Sequence, residues 1–595
     1  NAKKKAFQRG CLSWKFFAGL LKIKLSEFQQ HQADNNINNT ITGSKMWWNN
    51  IKAITGERKT SNEASHVNID DSWITAQDFC DKINEHYLSL GRDASFNIPE
   101  IPNTAAGSYT INEWEIHPLL CKINTKKSTH SSDFPSWVTK NNADILAKPI
   151  ADIMTAILNS GAFPAVWKQA EVKPLPKTTN PASFKDFRPI ALLFHLSKVA
   201  ESCIKRELAK HTPSDINQYA YSKGLGTTDA LVHMITDTAK HLDNKSTYGV
   251  QTLLIDFSKA FDLMRVDILT DKLLTMNVPE SLIRLLISFL SDRKQRVRFQ
   301  KCHSETLPTN LGVPQGTILG PSLWNVYVSD LQPSNDVIKY ADDTTLYMPA
   351  TSESVSVINS EGQNRVVGIS DNPMQHAADN AVNWCEKANQ RINATKTQYM
   401  LLTLQLNVSV TPPIMINGEQ IQQTKTAKLL GVTVDDHLKF KAHVTTTIEK
   451  TRAATHGLLT LKRHGVNKTS LVKYYQSRIV PILTYAAPAW YSYTTQQSKD
   501  MLERHQSLCL RLIYPNISSY SERLILTKTA RLNDVLYQLC DNYVSKVAAK
   551  PDHRLRRFIP AKQSVNRHSS RLADKPVWRY RTALFGKSLF FKHLT

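Results

Sequence analysis

Residues 337–347 constrain the fold of this chain more than any other stretch. Apolar and β-branched residues flank two adjacent carboxylates, Asp342 and Asp343, and this pattern predicts two short strands joined by a tight turn. Two acids at such a turn repel each other unless a cation neutralises them, and Mg²⁺ with oxygen ligands is the natural partner. An isolated Asp-Asp pair is also typical of an ordinary surface turn, so the interpretation depends on a further acid elsewhere.

A second acidic strand end lies upstream. The apolar run at 252–257 predicts a buried strand with Asp256 at its end. A carboxylate in that position must be paired or must bind a metal ion. Two such strands placed side by side would bring Asp256 and Asp342 to one pair of ions about 3.5–4 Å apart, an arrangement suited to phosphoryl transfer.

Cations and a glycine-punctuated loop accompany these acids. The segment 170–177 predicts an edge strand that runs into a basic loop. Lys177 and Arg188 can hold a triphosphate, although ordinary surface charge is the alternative for either one alone. The segment 312–321 predicts a rigid loop whose glycines let the backbone approach a ligand closely.

The charge balance points to a polyanionic partner. The net charge is +23 and the pI is near 9.5, which favours nucleic acid first and an anionic membrane surface second. The eight cysteines include no Cys-x-x-Cys pair, so we predict no zinc ribbon or knuckle. No apolar run is long enough to span a bilayer, and we predict no membrane partner.

Hydrophobic periodicity predicts further core elements. Helices are expected at 144–161, 279–290, 323–331 and 471–485, and a strand at 295–299. We predict five regions, which are a basic N-terminal extension (1–60), a helical N-terminal region (61–156), a central region that carries the acids (157–434), a helical region (435–515) and a basic C-terminal tail (516–595).

Four motifs in the central region carry a resemblance to a known family. In chain order these are Phe187-Arg188-Pro189-Ile190, Asp256-Phe257-Ser258-Lys259-Ala260-Phe261-Asp262, Gly312-Val313-Pro314-Gln315-Gly316 and Tyr340-Ala341-Asp342-Asp343. Together they resemble the successive motifs of a reverse transcriptase from non-LTR (LINE-type) retrotransposons of the jockey-like kind. The resemblance runs from about 75 to 515 and is strongest from 165 to 435. It implies an α+β fold in the right-hand polymerase architecture of fingers, palm and thumb, with helical N-terminal and C-terminal extensions. Residues 157–434 would then form the reverse transcriptase fingers and palm, and residues 435–515 a helical thumb-like region.

The resemblance assigns roles to the acids and their neighbours. Asp256 and Asp342 resemble the two metal-binding acids, and Asp343 resembles the third acid, which contacts metal less directly. The backbone carbonyl of Phe257 would complete the metal shell. Lys396 resembles the lysine that protonates the pyrophosphate. The implied cofactor is two Mg²⁺ ions, with Mn²⁺ as a possible substitute.

The nucleotide contacts also follow from the resemblance. Phe261 matches the aromatic gate that fills the space at the 2′ position and so selects deoxynucleotides. Gln315, with Gly316 allowing close approach, resembles the contact to the incoming nucleotide and template. Arg188 and Lys177 resemble the fingers cations that hold the triphosphate.

The implied function is an RNA-directed DNA polymerase of a mobile element that copies element RNA by target-primed reverse transcription. The implied partners are template RNA, primer DNA, deoxynucleoside triphosphates and an endonuclease domain, of which the sequence shows no trace, and the implied location is the nucleus. Residues 218–224 depart from the usual Gly-Phe-Arg pattern of the family, which affects the expected template contacts.

Two alternatives stay open. An integrase-type transposase also uses acids and two metals, but it needs a Glu a few tens of residues after the second Asp, and neither Glu361 nor Glu386 follows a suitable helical frame. The other alternative is a catalytically dead retrotransposon remnant that only binds nucleic acid. The three acids, Phe261 and Gln315 are all intact, which favours an active enzyme.

Overall fold

The computed structural model describes residues 22–594 except 26, 29, 32, 57–65, 90–96, 103–107, 179, 310, 352–354, 360–364, 370–371, 406–407, 412 and 560–581. The start of the predicted N-terminal extension and much of the predicted C-terminal tail therefore lie outside the described residues. Within the described residues, no helix combines the length and the apolar character that crossing a membrane requires.

The helices account for most of the regular structure. In chain order they are α1 (Lys45–Ile54), α2 (Ala76–Leu88), α3 (Glu113–Cys121), α4 (Ser136–Asn141), α5 (Ala143–Ser160), α6 (His195–Leu208), α7 (Thr227–Asp243), α8 (Val266–Thr275), α9 (Glu280–Leu290), α10 (Gly320–Tyr327), α11 (Pro373–Lys387), α12 (Lys441–Lys450), α13 (Arg452–Arg463), α14 (Lys468–Tyr474), α15 (Val480–Thr484), α16 (Ala487–Trp490), α17 (Gln496–Ile513), α18 (Tyr520–Thr527), α19 (Leu532–Ala548), α20 (Ala583–Gly586) and α21 (Leu589–Leu594). Short 3₁₀ turns span Ala165–Lys168, Phe184–Asp186, Ala260–Leu263 and Arg554–Phe558, and π turns span Asp34–Asn38 and Tyr475–Ile479.

The strands form several separate sheets. In chain order they are β1 (His66–Ile69), β2 (Ser72–Thr75), β3 (Gln169–Pro176), β4 (Phe187–Leu192), β5 (Thr247–Ile255), β6 (Arg293–Phe299), β7 (Cys302–His303), β8 (Leu307–Thr309), β9 (Val337–Tyr340), β10 (Asp343–Thr351), β11 (Val355–Asn359), β12 (Arg365–Ile369), β13 (Gln398–Leu402), β14 (Val408–Thr411), β15 (Met415–Ile416), β16 (Glu419–Gln420), β17 (Thr426–Leu429) and β18 (Val432–Asp435).

A four-stranded sheet lies at the centre of the structure, with the strand order β13-β5-β10-β9. All of its neighbouring strands run antiparallel. The turn between β9 and β10 consists of Ala341 and Asp342, so the predicted strand pair with an acidic turn is confirmed. The predicted buried strand before Asp256 is also confirmed, since β5 is the strand that pairs with β10 and its last residue, Ile255, is 3 % exposed.

The two faces of this sheet belong to two different cores. Leu253 and Leu346 pack into one core, together with α5, α9, α10 and α11. Val250 and Tyr347 pack into the other, together with α7 and the helices that follow residue 440. Side chains alternate between the faces of a strand, so a β-rich apolar sequence buries both faces when helices cover each side.

A second sheet has five strands in the order β4-β3-β6-β7, with β8 also paired to β6. The prediction of an edge strand at 170–177 was wrong for the first half of β3, which lies between β4 and β6. The parallel pairing with β6 ends at Val172, and Pro174 and Pro176 follow where β4 is the remaining neighbour. The prolines therefore lie where β3 no longer pairs with β6, because proline has no backbone N–H to donate to a neighbouring strand.

The predicted helices are present, with changes at their ends. Helix α5 ends at Ser160 because Gly161 adopts a left-handed conformation with φ of 67°. Helix α9 begins just after Pro279, as predicted. Helix α10 begins at Gly320 and not at the predicted residue 323, since Pro321 fits the first helical turn.

The region after residue 440 is helical through residue 548. Residues of α19, such as Leu536 and Val544, pack into the same core as α7. The first part of the predicted C-terminal tail is therefore packed against the centre of the molecule. The boundaries of the five predicted regions stay predictions.

Candidate active site

Strand register brings the three predicted acids to one end of the central sheet. Ile255 of β5 pairs with Thr344 of β10. Asp256 directly follows Ile255, and Asp343 directly precedes Thr344, so both acids lie at the same sheet end as the turn that holds Asp342. A shift of register by one residue would move the side chains of a strand to the opposite face, so the apolar packing of both faces fixes the positions of the acids.

The acidic turn is held from inside the protein. Ala341 has φ of 58°, the left-handed conformation that tight turns require. The indole Nε1 of the fully buried Trp324 donates to the carbonyl of Ala341 at 2.9 Å. The ring of Trp324 also lies 5.0 Å from that of Phe261. One buried side chain therefore connects the turn with the predicted sugar gate.

Burial and repulsion between acids raise the pKa of Asp342 and Asp343. Burial raises the pKa of Asp343 to about 6, with the charges of Asp342 and Asp256 adding to the effect. Burial also raises the pKa of Asp342, the charge of Asp256 raises it further, and Arg188 opposes both. Carboxylates that disfavour each other's charge in this way are suited to a hard cation with oxygen ligands.

A cleft of about 1110 Å³ opens in front of Asp256 and Asp342. Seven of the predicted site residues line it, and these are Lys177, Arg188, Asp256, Phe257, Gln315, Asp342 and Lys396. Asp343 instead lines a small depression beside Tyr340 and Leu430. The ligand oxygens of the three acids do not all lie within 4.8 Å of one another, whereas the ligand atoms of Asp237, His241 and Asp336 do, away from this cleft.

Part of the cleft wall is cationic. Lys177, Lys185, Arg188 and Lys259 line it, and burial lowers the pKa of Lys177, with Arg188, Lys396 and Lys259 adding to the decrease. The ammonium of Lys177 donates to the carbonyl of Lys185 at 2.6 Å. Neighbouring cations destabilise one another's protonated form, so an anionic ligand between them is favoured.

Lys396 lies on the acidic side of the cleft. Its Nζ is 3.8 Å from Oδ2 of Asp256, and its side chain is 69 % exposed. The segment that carries it is fixed to the strand extension after β5, because the N–H of Asn393 donates to the carbonyl of Asp256 at 2.8 Å. Phe257 and Ile392 form an isolated antiparallel bridge in the same place.

The glycine-punctuated loop packs between two parts of the cleft wall. The N–H of Ala191 in β4 donates to the carbonyl of Gln315 at 2.8 Å, and Nε2 of Gln315 donates to Oδ1 of Asp262 at 3.3 Å. Gly316 has φ of 122°, and a Cβ there would lie 2.9 Å from the carbonyl oxygen of Ala191. Glycine is therefore required at 316 for both conformation and space.

Phe257 and Phe261 are anchored by aromatic contacts. Phe257 is 6 % exposed, and its ring lies 6.2 Å from that of Trp384. Phe261 is partly buried and packs against the core that contains Trp324. Phe261 is not among the residues that line the cleft, so its contact with the sugar stays a prediction.

Sequence reasoning missed several residues of the site. Lys185 and Lys259 line the cleft but were not predicted to do so. Lys259 belongs to the motif that contains Asp256, but its left-handed conformation (φ of 53°) could not be predicted from the sequence. Glu201 of α6 was also missed. It is fully buried, and its Oε2 accepts from the N–H groups of Ile318 and Leu319, just after the glycine-punctuated loop. No sequence signal separated it from the surface acids of a helix.

Comparison with known proteins shows which family the chain resembles. Residues 175–434 match the family model described as "Reverse transcriptase (RNA-dependent DNA polymerase)". This segment of the chain is similar to reverse transcriptases. The match covers the segment in which the four motifs lie, and it confirms the predicted α+β polymerase fold around the central sheet. It also disfavours the transposase alternative.

Two similar proteins come from mobile elements of Drosophila melanogaster. The "RNA-directed DNA polymerase from mobile element jockey" is 25% identical, with 75% of this chain and 48% of that protein covered. The "Probable RNA-directed DNA polymerase from transposon X-element" is 29% identical, with 59% and 38% covered. These relatives confirm the predicted resemblance to jockey-like non-LTR elements. The chain spans about half the length of the curated relatives it matches, or less.

A solved telomerase from Candida albicans, in complex with a fragment of telomeric RNA, is 12% identical, with 61% of this chain and 66% of that one covered. Its TM-score of 0.33 is too low for the superposition to support any assignment.

Proposed function

We propose that this chain is an RNA-directed DNA polymerase that copies the RNA of a mobile element into DNA. The observation that carries the proposal is the β5–β10 register, which puts Asp256 and Asp342 at one end of the central sheet, in a cleft that Lys177, Lys185 and Arg188 also line. Acids and cations in one cleft fit a nucleoside triphosphate with its metal ions. The reaction joins the primer 3′ oxygen to the α-phosphorus and releases pyrophosphate.

The acids fit a pair of divalent ions. Carboxylate oxygens are ligands of the kind that Mg²⁺ prefers, and burial followed by repulsion from the neighbouring acids raises the pKa values of Asp342 and Asp343, so a cation would stabilise their charged forms. Asp256 and Asp342 would hold the ions, with the backbone carbonyl of Phe257 as a further ligand and Asp343 in support. Bound Mg²⁺, or Mn²⁺ in its place, would activate the attacking hydroxyl and stabilise the leaving group.

The remaining cleft residues bind and orient the nucleotide. Arg188 and Lys177 hold the triphosphate, and Lys185 and Lys259 extend the same cationic wall. Lys396 is placed beside Asp256 to donate a proton to the departing pyrophosphate. Gln315 and Gly316 contact the incoming nucleotide and template, and Phe261 restricts the 2′ position of the sugar. Positioning and charge neutralisation supply most of the catalysis in such a reaction.

The partners of this chemistry are template RNA, primer DNA and deoxynucleoside triphosphates. The net charge of +23 supplies affinity for the nucleic acid backbone that falls steeply with salt. Target-primed synthesis, in which an endonuclease nicks genomic DNA to supply the primer, and a nuclear location both rest on the family resemblance. Imaging of a fluorescent fusion would test the location.

The decisive experiment is primer extension on an RNA template with deoxynucleotides and Mg²⁺. Asp342→Asn is compared with Asp144→Asn, which makes the same chemical change at a side chain that is 91 % exposed and outside the cleft. We expect extension by the wild type and Asp144→Asn, and none by Asp342→Asn. RNA binding should be unchanged in all three, because it rests on the cations.

Two other results would count against the proposal. Full extension by Asp342→Asn would refute the metal assignment. No extension by any of the three proteins, with tight RNA binding retained, would identify a dead element that only binds nucleic acid.

A further inference from the structure

Residues 214–219 lie along the outer edge of β9, next to the acidic turn. The N–H of Lys339 donates to the carbonyl of Asn217, and the N–H of Tyr219 donates to the carbonyl of Lys339, both at 2.8 Å. Gln218 and Lys339 form an isolated parallel bridge. Residues 217–219 therefore extend the central sheet beyond β9. They overlap residues 218–224, whose sequence departs from the pattern of the family.

The side chain of Gln218 holds the turn itself. It is 1 % exposed, and its Oε1 accepts from the N–H of Ala341 at 3.0 Å. Its Nε2 donates to the carbonyl of Ala341 at 3.4 Å, and Oε1 also accepts from the N–H of Ala220 at 3.0 Å. One amide therefore contacts both backbone groups of the left-handed residue that precedes Asp342.

A residue from the far C-terminal part of the chain fixes that segment. Nη1 of Arg554 donates to the carbonyls of Ile216 at 2.8 Å and Gln218 at 2.7 Å. Its Nη2 donates to Oγ of Ser214 at 2.8 Å, and the guanidinium lies 5.4 Å from the centre of the Tyr219 ring. A planar guanidinium can satisfy several acceptors and a ring face at once, which a lysine cannot.

We propose that Arg554 is a positioning residue of the polymerase, which holds residues 214–218 so that Gln218 can set the position of the Asp342 turn. The inference rests on the proposed function, because it assigns to the C-terminal segment a part in the geometry of the metal-binding acids. It also gives the first part of the predicted basic tail a role other than contact with nucleic acid. The turn of the active site then depends on a segment that follows the helices of the thumb-like region.

The first test is hydrogen exchange, which needs no turnover. Arg554→Met removes the guanidinium but keeps an unbranched side chain, and Arg554→Lys keeps the charge without the fork. Arg556→Met is the matched control, since Arg556 is exposed and its Nη1 donates to the carbonyl of Ala548 within the C-terminal segment itself. We expect amide exchange in residues 337–342 to be roughly tenfold faster in Arg554→Met, as loss of about one hydrogen bond predicts. Arg554→Lys should recover part of the protection, and Arg556→Met should match the wild type.

The exchange experiment can also contradict the inference. Unchanged protection of residues 337–342 in Arg554→Met would overturn it. Faster exchange throughout β3, which lies in the other sheet, would show that Arg554 supports the whole fold and would also overturn a specific positioning role.

The second test is kinetic. Misplacement of the turn by a fraction of an ångström to ~1 Å should lower kcat of Arg554→Met roughly 10- to 100-fold. The KM for deoxynucleotides should stay near the wild-type value, because the cationic wall lies on other elements. Gln218→Met should give a similar loss, and the double variant should be no worse than Gln218→Met alone, since residues that act through one another are not additive.

The two failures can be told apart. Wild-type extension with normal kcat in Arg554→Met would refute the inference and leave the proposed function intact. If the wild type did not extend a primer at all, the proposed function would fail, and the exchange experiment would still decide whether Arg554 positions the turn.

Discussion

Removal of the buried carboxylate of Glu201 should damage both stability and nucleotide binding. The Oε2 atom accepts from the N–H of Ile318 at 2.5 Å and from that of Leu319 at 3.1 Å. Arg293 is 2 % exposed, and burial lowers the pKa of its guanidinium to about 10. The negative charge of Glu201 opposes this decrease. Glu201→Leu therefore leaves two backbone donors without their acceptor and a buried cation without its counter-charge.

The size of the effect follows from the two backbone donors that lose their acceptor. Each unsatisfied buried polar group costs about 1–3 kcal/mol, so the two together cost about 2–6 kcal/mol. A domain of about 150–250 residues loses roughly 2–4 °C of melting temperature per kcal/mol, so we expect Glu201→Leu to melt at least about 4 °C lower. Because Ile318 and Leu319 follow Gln315 and Gly316 directly, the KM for deoxynucleotides should rise as well.

The assay compares thermal unfolding and nucleotide KM across a small set of variants. Glu207→Leu is the control on the same helix, since its partner Lys210 is 60 % exposed and can be solvated when the acid is removed. The double variant Glu201→Leu/Arg293→Met should melt higher than Glu201→Leu alone, because it removes the uncompensated charge. A double variant that melts lower than the single one, or a Glu201→Leu that melts with the wild type, would refute this account.

Three further changes test separate parts of the site. Arg188→Met should raise the KM for deoxynucleotides roughly 10- to 100-fold in steady-state extension, because charge-assisted hydrogen bonds to the triphosphate are lost. Lys173 lies outside the cleft, so Lys173→Met should leave this KM unchanged. Phe261→Ala should raise ribonucleotide incorporation relative to deoxynucleotides roughly 10- to 100-fold, and unchanged sugar discrimination would exclude the gate. The pKa of Asp343 is raised to about 6, so a proton competes with the cation below that pH. Mn²⁺ binding, measured by electron paramagnetic resonance, should therefore weaken below pH 6 in the wild type. In Asp343→Asn, Mn²⁺ binding should no longer depend on pH in this range. For the same reason, the ion-free protein should lose stability as the pH rises from about 4 to about 6, since the folded state holds this proton more tightly than the unfolded chain does.

The sequence predicted the parts of the site that lie in local patterns. An apolar strand that ends in an acid, and two β-branched strands around an Asp-Asp turn, are visible because side-chain alternation and turn chemistry are properties of a few consecutive residues. The same holds for Gly316, whose conformation and space only glycine satisfies. What could not be predicted is which side of β3 is free, since its pairing with β6 joins residues that are far apart in the chain.

The supporting residues were missed for a different physical reason. Glu201, Gln218 and Arg554 have no periodicity of their own, and their types suggest solvent exposure. Each is useful because folding removes water from it and leaves backbone donors or acceptors as its partners. An unsatisfied buried backbone group costs about 1–3 kcal/mol, so such partners are strongly held once the fold has formed. The acids of the turn can therefore be recognised from sequence, whereas the polar residues that hold the turn in place become visible only in the folded chain.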